Sequence, residues 1–124
     1  MTTPTPEEFV AQVRVASEAT GIKLVPGIWY AVRDGVPCGC ALTVLAIHLC
    51  APLREIVAQP FPKQCRETII GALMSIMGCS WVWLSGCLYG FDARQLILSP
   101  SSDYNAGYRC GRAARLALVE KSTP

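Results

Sequence analysis

The sequence predicts an α+β fold, predominantly α-helical, with four to five helices and one small β-hairpin at about residues 27–40. Three observations carry that expectation. Apolar residues near the start recur at helical spacing, as Phe9, Val10, Val13 and Ala16. An Asp34-Gly35 pair stands between two short extended runs. Long apolar blocks at 41–50 and 68–91 are broken by Pro, Gly and Ser rather than by charge. One domain spanning 1–124 is expected, with residues 1–5 and 121–124 as loose ends.

The first helix begins with a clear signal. Thr5 suits an N-cap, Pro6 the first helical position, and Glu7 and Glu8 the positive end of the helix dipole. It is expected to run to about Thr20, with Gly21 ending it. In GIWYAVRDGVPCGC the period changes from helical to alternating. Asp34-Gly35 suits a type I′ turn, so arms are expected at about 27–33 and 36–40. Pro37 has no N–H to give a ladder and is expected at an edge. Two strands alone are marginal in water, so the hairpin must lie on helices.

ALTVLAIHLC, from Ala41 to about Cys50, reads as a buried helix, apolar nearly all round. Pro52 limits its extension, and Pro60 and Pro62 bracket a turn. A helix follows from about Pro62 to Met77. Ser80 is expected to cap another from Trp81 to about Tyr89, stopping at Gly90. Residues 91–102 form a connection, with brief order at Gln95–Leu98. The last helix starts near Ser102 or Asp103 and reaches about Glu120.

Composition narrows the function classes. Of 124 residues, 52% are hydrophobic and 16% charged, against ~25% charged in an average soluble domain. That balance excludes intrinsic disorder. A net charge of +2 is too small to imply a polyanionic partner. Seven cysteines cannot all pair within one chain. The start, MTTPTPEEFV, shows neither a basic nor an apolar leader segment, so a cytoplasmic location with reduced thiols is expected.

Thr68–Phe91 contains no charged residue and is long enough to cross a bilayer, which takes about 20 apolar residues. Gly35–Leu53 competes with it. Three details argue against spanning. Pro37 and Gly39 shorten the earlier window. Gly78-Cys79-Ser80 reads as a helix stop followed by a new cap. Trp81 and Trp83 fall in mid-window, whereas belt tryptophans sit at the ends. Membrane association is therefore not favoured.

Small residues recur four apart as Gly71/Ser75, Gly86/Gly90 and Gly107/Gly111. Such spacing gives a helix face that another backbone can approach closely. Gly inside a helix costs up to ~1 kcal/mol relative to Ala, so its repeated use suggests contact. The helix bearing Gly86 and Gly90 is expected to pack on the one bearing Gly107 and Gly111, within one chain or between two copies. Trp81, Trp83, Tyr104 and Tyr108 are candidates for the same helix-packing or interface surface.

Cys38, Cys40, His48 and Cys50 are the one constellation of ligand-type residues. They are a candidate zinc set, although C-x-C is not the common knuckle spacing. Cys38 or Cys40 with His48 is also a candidate thiol nucleophile and base. The simpler expectation for His48, flanked by Ile47 and Leu49, is a core histidine. Arg109, Arg112 and Arg115 recur every three residues. They form a candidate basic face for phosphates or an ordinary solvated face.

The leading expectation is a small non-enzymatic protein-binding module, homodimeric or acting as a subunit or inhibitor through an apolar helical surface. A cysteine enzyme or metal site at Cys38, Cys40 and His48 is the alternative. Nucleic-acid binding through Arg109, Arg112 and Arg115 is a further one and is not favoured. The expected partner is a protein, either self or other, and no cofactor is expected.

Overall fold

A computed structural model describes residues 3–58, 65–92 and 101–120. The turn expected at Pro60–Pro62, the helix start at Pro62, the brief order at Gln95–Leu98 and residues 121–124 lie outside the described residues. The fold is α+β and predominantly helical. The described elements are α1 (Pro6–Thr20), β1 (Lys23–Leu24), β2 (Tyr30–Arg33), β3 (Val36–Gly39), α2 (Ala41–Leu49), α3 (Leu53–Val57), α4 (Cys65–Met77), α5 (Trp81–Phe91) and α6 (Ser102–Arg115). A π-helical turn, Leu116–Glu120, continues α6.

Local chemistry accounts for most boundaries. Thr5 and Glu8 form a reciprocal capping box. The Glu8 N–H donates to the Thr5 hydroxyl at 3.2 Å, and the Thr5 N–H donates to the Glu8 carboxylate at 2.9 Å. Gly21 ends α1 at φ 71°. Asp34 and Gly35 have φ values of 53° and 77°, the double positive that a type I′ turn requires. Ser80 accepts from the Trp83 N–H at 3.1 Å and starts α5.

The sheet is three-stranded, in the order β1-β3-β2, with β1 parallel and β2 antiparallel to β3. Pro37 therefore sits in the central strand and not at an edge. The register explains how it is tolerated. Arg33 and Val36 flank the two-residue turn as a hydrogen-bonded pair, so the next pair, Val32–Pro37, is one that exchanges no ladder bonds. On the other side β1 begins pairing only at Cys38. No ladder bond requires the N–H that proline lacks.

Two further differences concern helices. The short α3 follows Pro52 closely, giving six α-helices among the described residues. Helix α5 does not stop at Gly90 but runs to Phe91. Gly90 is its penultimate residue, and the α6 backbone fills the space where a Cβ there would stand.

The core gathers α1, α2, α4, α5 and α6 around fully buried Trp83, Phe9, Phe91, Ile22, Leu73 and Leu84. Phe9 and Trp83 meet edge to face, with ring centroids 5.7 Å apart. No single helix among the described residues is long and apolar enough to cross a membrane. Arg66–Met77 and Trp81–Phe91 pass such a test only as a pair, and they bend by 119° at the break between them.

Candidate functional site

Helix α1 carries two apolar stripes. Phe9, Val13 and Ala16 face the core, while Ala11 and Val15 stay exposed. Helix α2 is buried from Ala41 to Ile47, but its last turn emerges past the core edge with His48 and Leu49 exposed. The end of α4 brings Ile76 and Met77 to the same place. These three surfaces bound a hollow of about 460 Å³, with Leu45 and Gln12 completing its lining. Val15 is 55% exposed, Leu49 44% and Ile76 46%. Protruding apolar side chains thus stand around an apolar hollow. His48 is the ionisable side chain among its lining residues.

That location corrects the expectation of a core histidine. The α2 segment is apolar on every side, but its last two residues outrun the core, and His48 is one of them. Cys40 lies at the opposite end as the N-cap residue. Eight residues at ~1.5 Å rise separate the two by about 12 Å along the axis. Cys40 is buried, with its sulfur 3.4 Å from the Thr43 hydroxyl. Cys38 is also buried, and its thiol donates to the Val36 carbonyl at 3.5 Å. Cys50 is half-buried beyond the far end of α2. No group of three or more His, Cys, Asp or Glu among the described residues is arranged to hold a metal.

The six described cysteines outside position 65 are free thiols. Burial pushes the Cys40 thiol up to about 11, against a smaller opposing effect of the Thr43 hydrogen bonds and with a minor contribution from the Asp92 carboxylate. Burial also pushes Cys110 up to about 11 and Cys87 upward. A thiol is a weak nucleophile until it ionises. Cys40 and Cys110 are therefore expected to resist iodoacetamide at pH 8, as mass mapping of the native protein can read. The unfolded chain loses these protons near 9.0, before the folded chain does. The thiol contribution to stability is therefore complete below pH ~9 and is lost as pH rises through about 11. Thermal unfolding should show Tm falling across that window; a flat profile would contradict the burial argument.

The glycine residues fall into two groups. Gly86 and Gly90 on α5 meet Gly107 and Gly111 on α6 within one chain. A Cβ at Gly107 would strike the Trp83 carbonyl, and one at Gly111 the Cys87 carbonyl. In return, Cβ atoms at Gly86 and Gly90 would strike the Tyr104 and Tyr108 carbonyls. Gly71 and Ser75 behave differently: both are exposed, and a Cβ at Gly71 meets nothing within 4 Å. Four-residue spacing on α4 therefore marks no close approach, because that side of the helix has no helix against it among the described residues.

Trp83 is wholly buried, whereas Trp81, two residues earlier, is 57% exposed. Tyr104 is buried and Tyr108 half-buried, with ring centroids 6.5 Å apart. Arg109 and Arg112 are exposed. Arg115 is tied into the fold: its guanidinium donates to the Phe91 carbonyl at 3.5 Å and lies 3.6 Å from the Glu120 carboxylate. The three arginines therefore do not act as one free strip.

The hollow was not legible in the sequence. The four-residue step from Ala11 to Val15 was its one visible trace, and the remaining walls come together only in the tertiary fold.

Fold and site together define a small, mainly helical α+β protein with an open apolar hollow between α1, α2 and α4. No protein-family model matches the chain, and neither a curated protein nor a solved structure matches it.

Proposed function

We propose that the chain is a non-enzymatic protein-binding module whose apolar hollow seats a second copy of itself. The observation that carries this reading is the clustering of exposed Val15, Leu49 and Ile76 around one cavity. Exposed apolar side chains scattered singly need no explanation, but a contiguous set rimming a hollow marks an interaction surface. A two-fold interface requires one patch to be complementary to itself. This patch offers both projections and a receiving space. The net charge of +2 opposes the approach of two copies only weakly. A cytoplasmic location belongs to the same reading, because reducing conditions keep buried cysteines as thiols.

The thiol-enzyme alternative has less support. Cys40 is buried with a raised pKa, and His48 sits two turns away. The basic-face alternative rests on Arg109 and Arg112, since Arg115 is occupied.

Sedimentation velocity tests the proposal. At tens of micromolar the full chain should sediment as a dimer. Val15→Glu and Ile76→Glu should each shift the population to monomer, by at least tenfold in the dissociation constant. Both positions are exposed, so circular dichroism should stay unchanged. A wild-type chain that remains monomeric at several hundred micromolar would overturn the reading.

A further inference from the structure

Two polar side chains, His48 and Gln12, line a hollow that is otherwise apolar. His48 is the one histidine in the chain. Both side chains are exposed, and neither makes a hydrogen bond or ion pair with a described residue. Leu45, three residues before His48 on α2, lies deep and is 3% exposed. Val15 of α1 and Ile76 of α4 stand on the rim. A partner that covers this rim covers the imidazole as well.

Among the described residues no carboxylate lines the hollow to match a charge on that ring. On α1 the ionisable Glu8, Arg14 and Glu18 are exposed and lie outside the lining. On α4 the nearest ionisable side chain before Ile76 is Glu67. Nine residues at ~1.5 Å rise put it about 14 Å away along the axis. Cys79, just beyond α4, is buried, and its thiol donates to the Leu73 carbonyl at 3.9 Å. Past the end of α2, the Cys50 thiol is half-buried and outside the lining. On α3, Arg54 donates to the Thr20 carbonyl at 2.9 Å, and Glu55 is exposed outside the hollow.

Docking of a second copy then discriminates between the two forms of the ring. A neutral imidazole offers one donor and one acceptor, and the Gln12 carboxamide can meet either. An imidazolium carries two donors and a charge. Taking that charge out of water with no carboxylate to meet it costs far more than covering the neutral ring. A two-fold interface doubles the effect, because each copy brings its own His48. Histidine is the side chain whose charge changes between pH 5 and 8. The buried Cys40 and Cys110 thiols titrate only near 11, outside that window. We infer that His48 is an acid-release switch on self-association, which rests on the second copy being seated in the hollow as proposed above. The neutral ring permits the pair, and protonation of His48 separates it.

Sedimentation velocity of the full chain at pH 7.5 and pH 5.5, at constant ionic strength, reads the switch. The dissociation constant should be at least about tenfold larger at the lower pH, within a ceiling of about two decades per pH unit for two protons taken up per dimer. The single histidine also reports on itself. By NMR, its imidazole should titrate at a lower pH above the dissociation constant than below it. His48→Lys, which stays charged across this range, should be mainly monomeric at pH 7.5 where the wild type pairs. The position is exposed, so circular dichroism should stay unchanged. His48→Gln, which carries no charge, should keep less than about a twofold dependence on pH. If His48→Gln does not pair or His48→Lys does not fold, the wild-type NMR midpoints decide. Dimers of equal strength at both pH values, a midpoint independent of concentration, or a His48→Lys chain that pairs like the wild type would overturn the switch and leave self-association standing. A wild-type chain still monomeric at pH 7.5 and several hundred micromolar would overturn self-association itself, and the switch with it.

Discussion

Gly107→Ala and Gly111→Ala are each expected to destabilise the protein by about 3 kcal/mol or more, at the upper end of what overpacking costs. The reason is the identity of the obstacle. The added methyl group would meet the Trp83 or Cys87 carbonyl, which is backbone and has no rotamer to change. The only relief is separation of α5 from α6, and that opens the core beside Trp83, Cys87 and Cys110, all buried. Gly71→Ala is the matching control. It sits inside α4 with open space around it, so the change should remove the helical penalty of glycine and stabilise by about 0.5–1 kcal/mol. Urea unfolding followed by circular dichroism measures all three. Equal stability of Gly107→Ala and the wild type would mean that the helices do not meet as described.

The next largest effect is expected at Trp83. Its side chain is wholly buried and packs edge to face on Phe9. Truncation to alanine leaves a large void and should cost about 3–5 kcal/mol. Trp81→Ala removes an exposed ring and should change stability by less than about 0.5 kcal/mol. The native fluorescence should divide in the same way. The Trp83 contribution should be blue-shifted and shielded from acrylamide, and the Trp81 contribution readily quenched. A Trp83→Ala variant as stable as Trp81→Ala would place the core elsewhere.

Much of the fold was legible because its signals are local. Thr5 with Glu8, Asp34 with Gly35, and Ser80 before Trp81 each form a cap or turn within four residues. These signals require no knowledge of the rest of the chain. Strand β1 was invisible because two residues, Lys23 and Leu24, cannot show a period. Pro37 reads as an edge residue in the sequence because sequence shows the missing N–H but not which ladder positions need one. His48 reads as a core residue in the sequence because periodicity cannot tell where a helix outruns its core. Gly71 and Ser75 show the same limit from the other direction: spacing reveals a face and not whether anything lies against it.

The candidate sites were less legible than the fold. The apolar hollow takes its walls from α1, α2 and α4. That set has no spacing that marks it as a unit. The residues with familiar chemical signatures, Cys38, Cys40 and His48, end up apart because α2 holds Cys40 and His48 at its two ends.

The glycine slots between α5 and α6 also limit how these helices can move. Each slot receives the carbonyl of one particular residue on the opposite helix, and the next slot along the same helix lies four residues on, about 6 Å away. Sliding by a fraction of that distance drives a carbonyl against a ridge with no side chain to yield. The two helices therefore behave as a single stiff strut with a notched register, and bending of the molecule falls on the joints outside it.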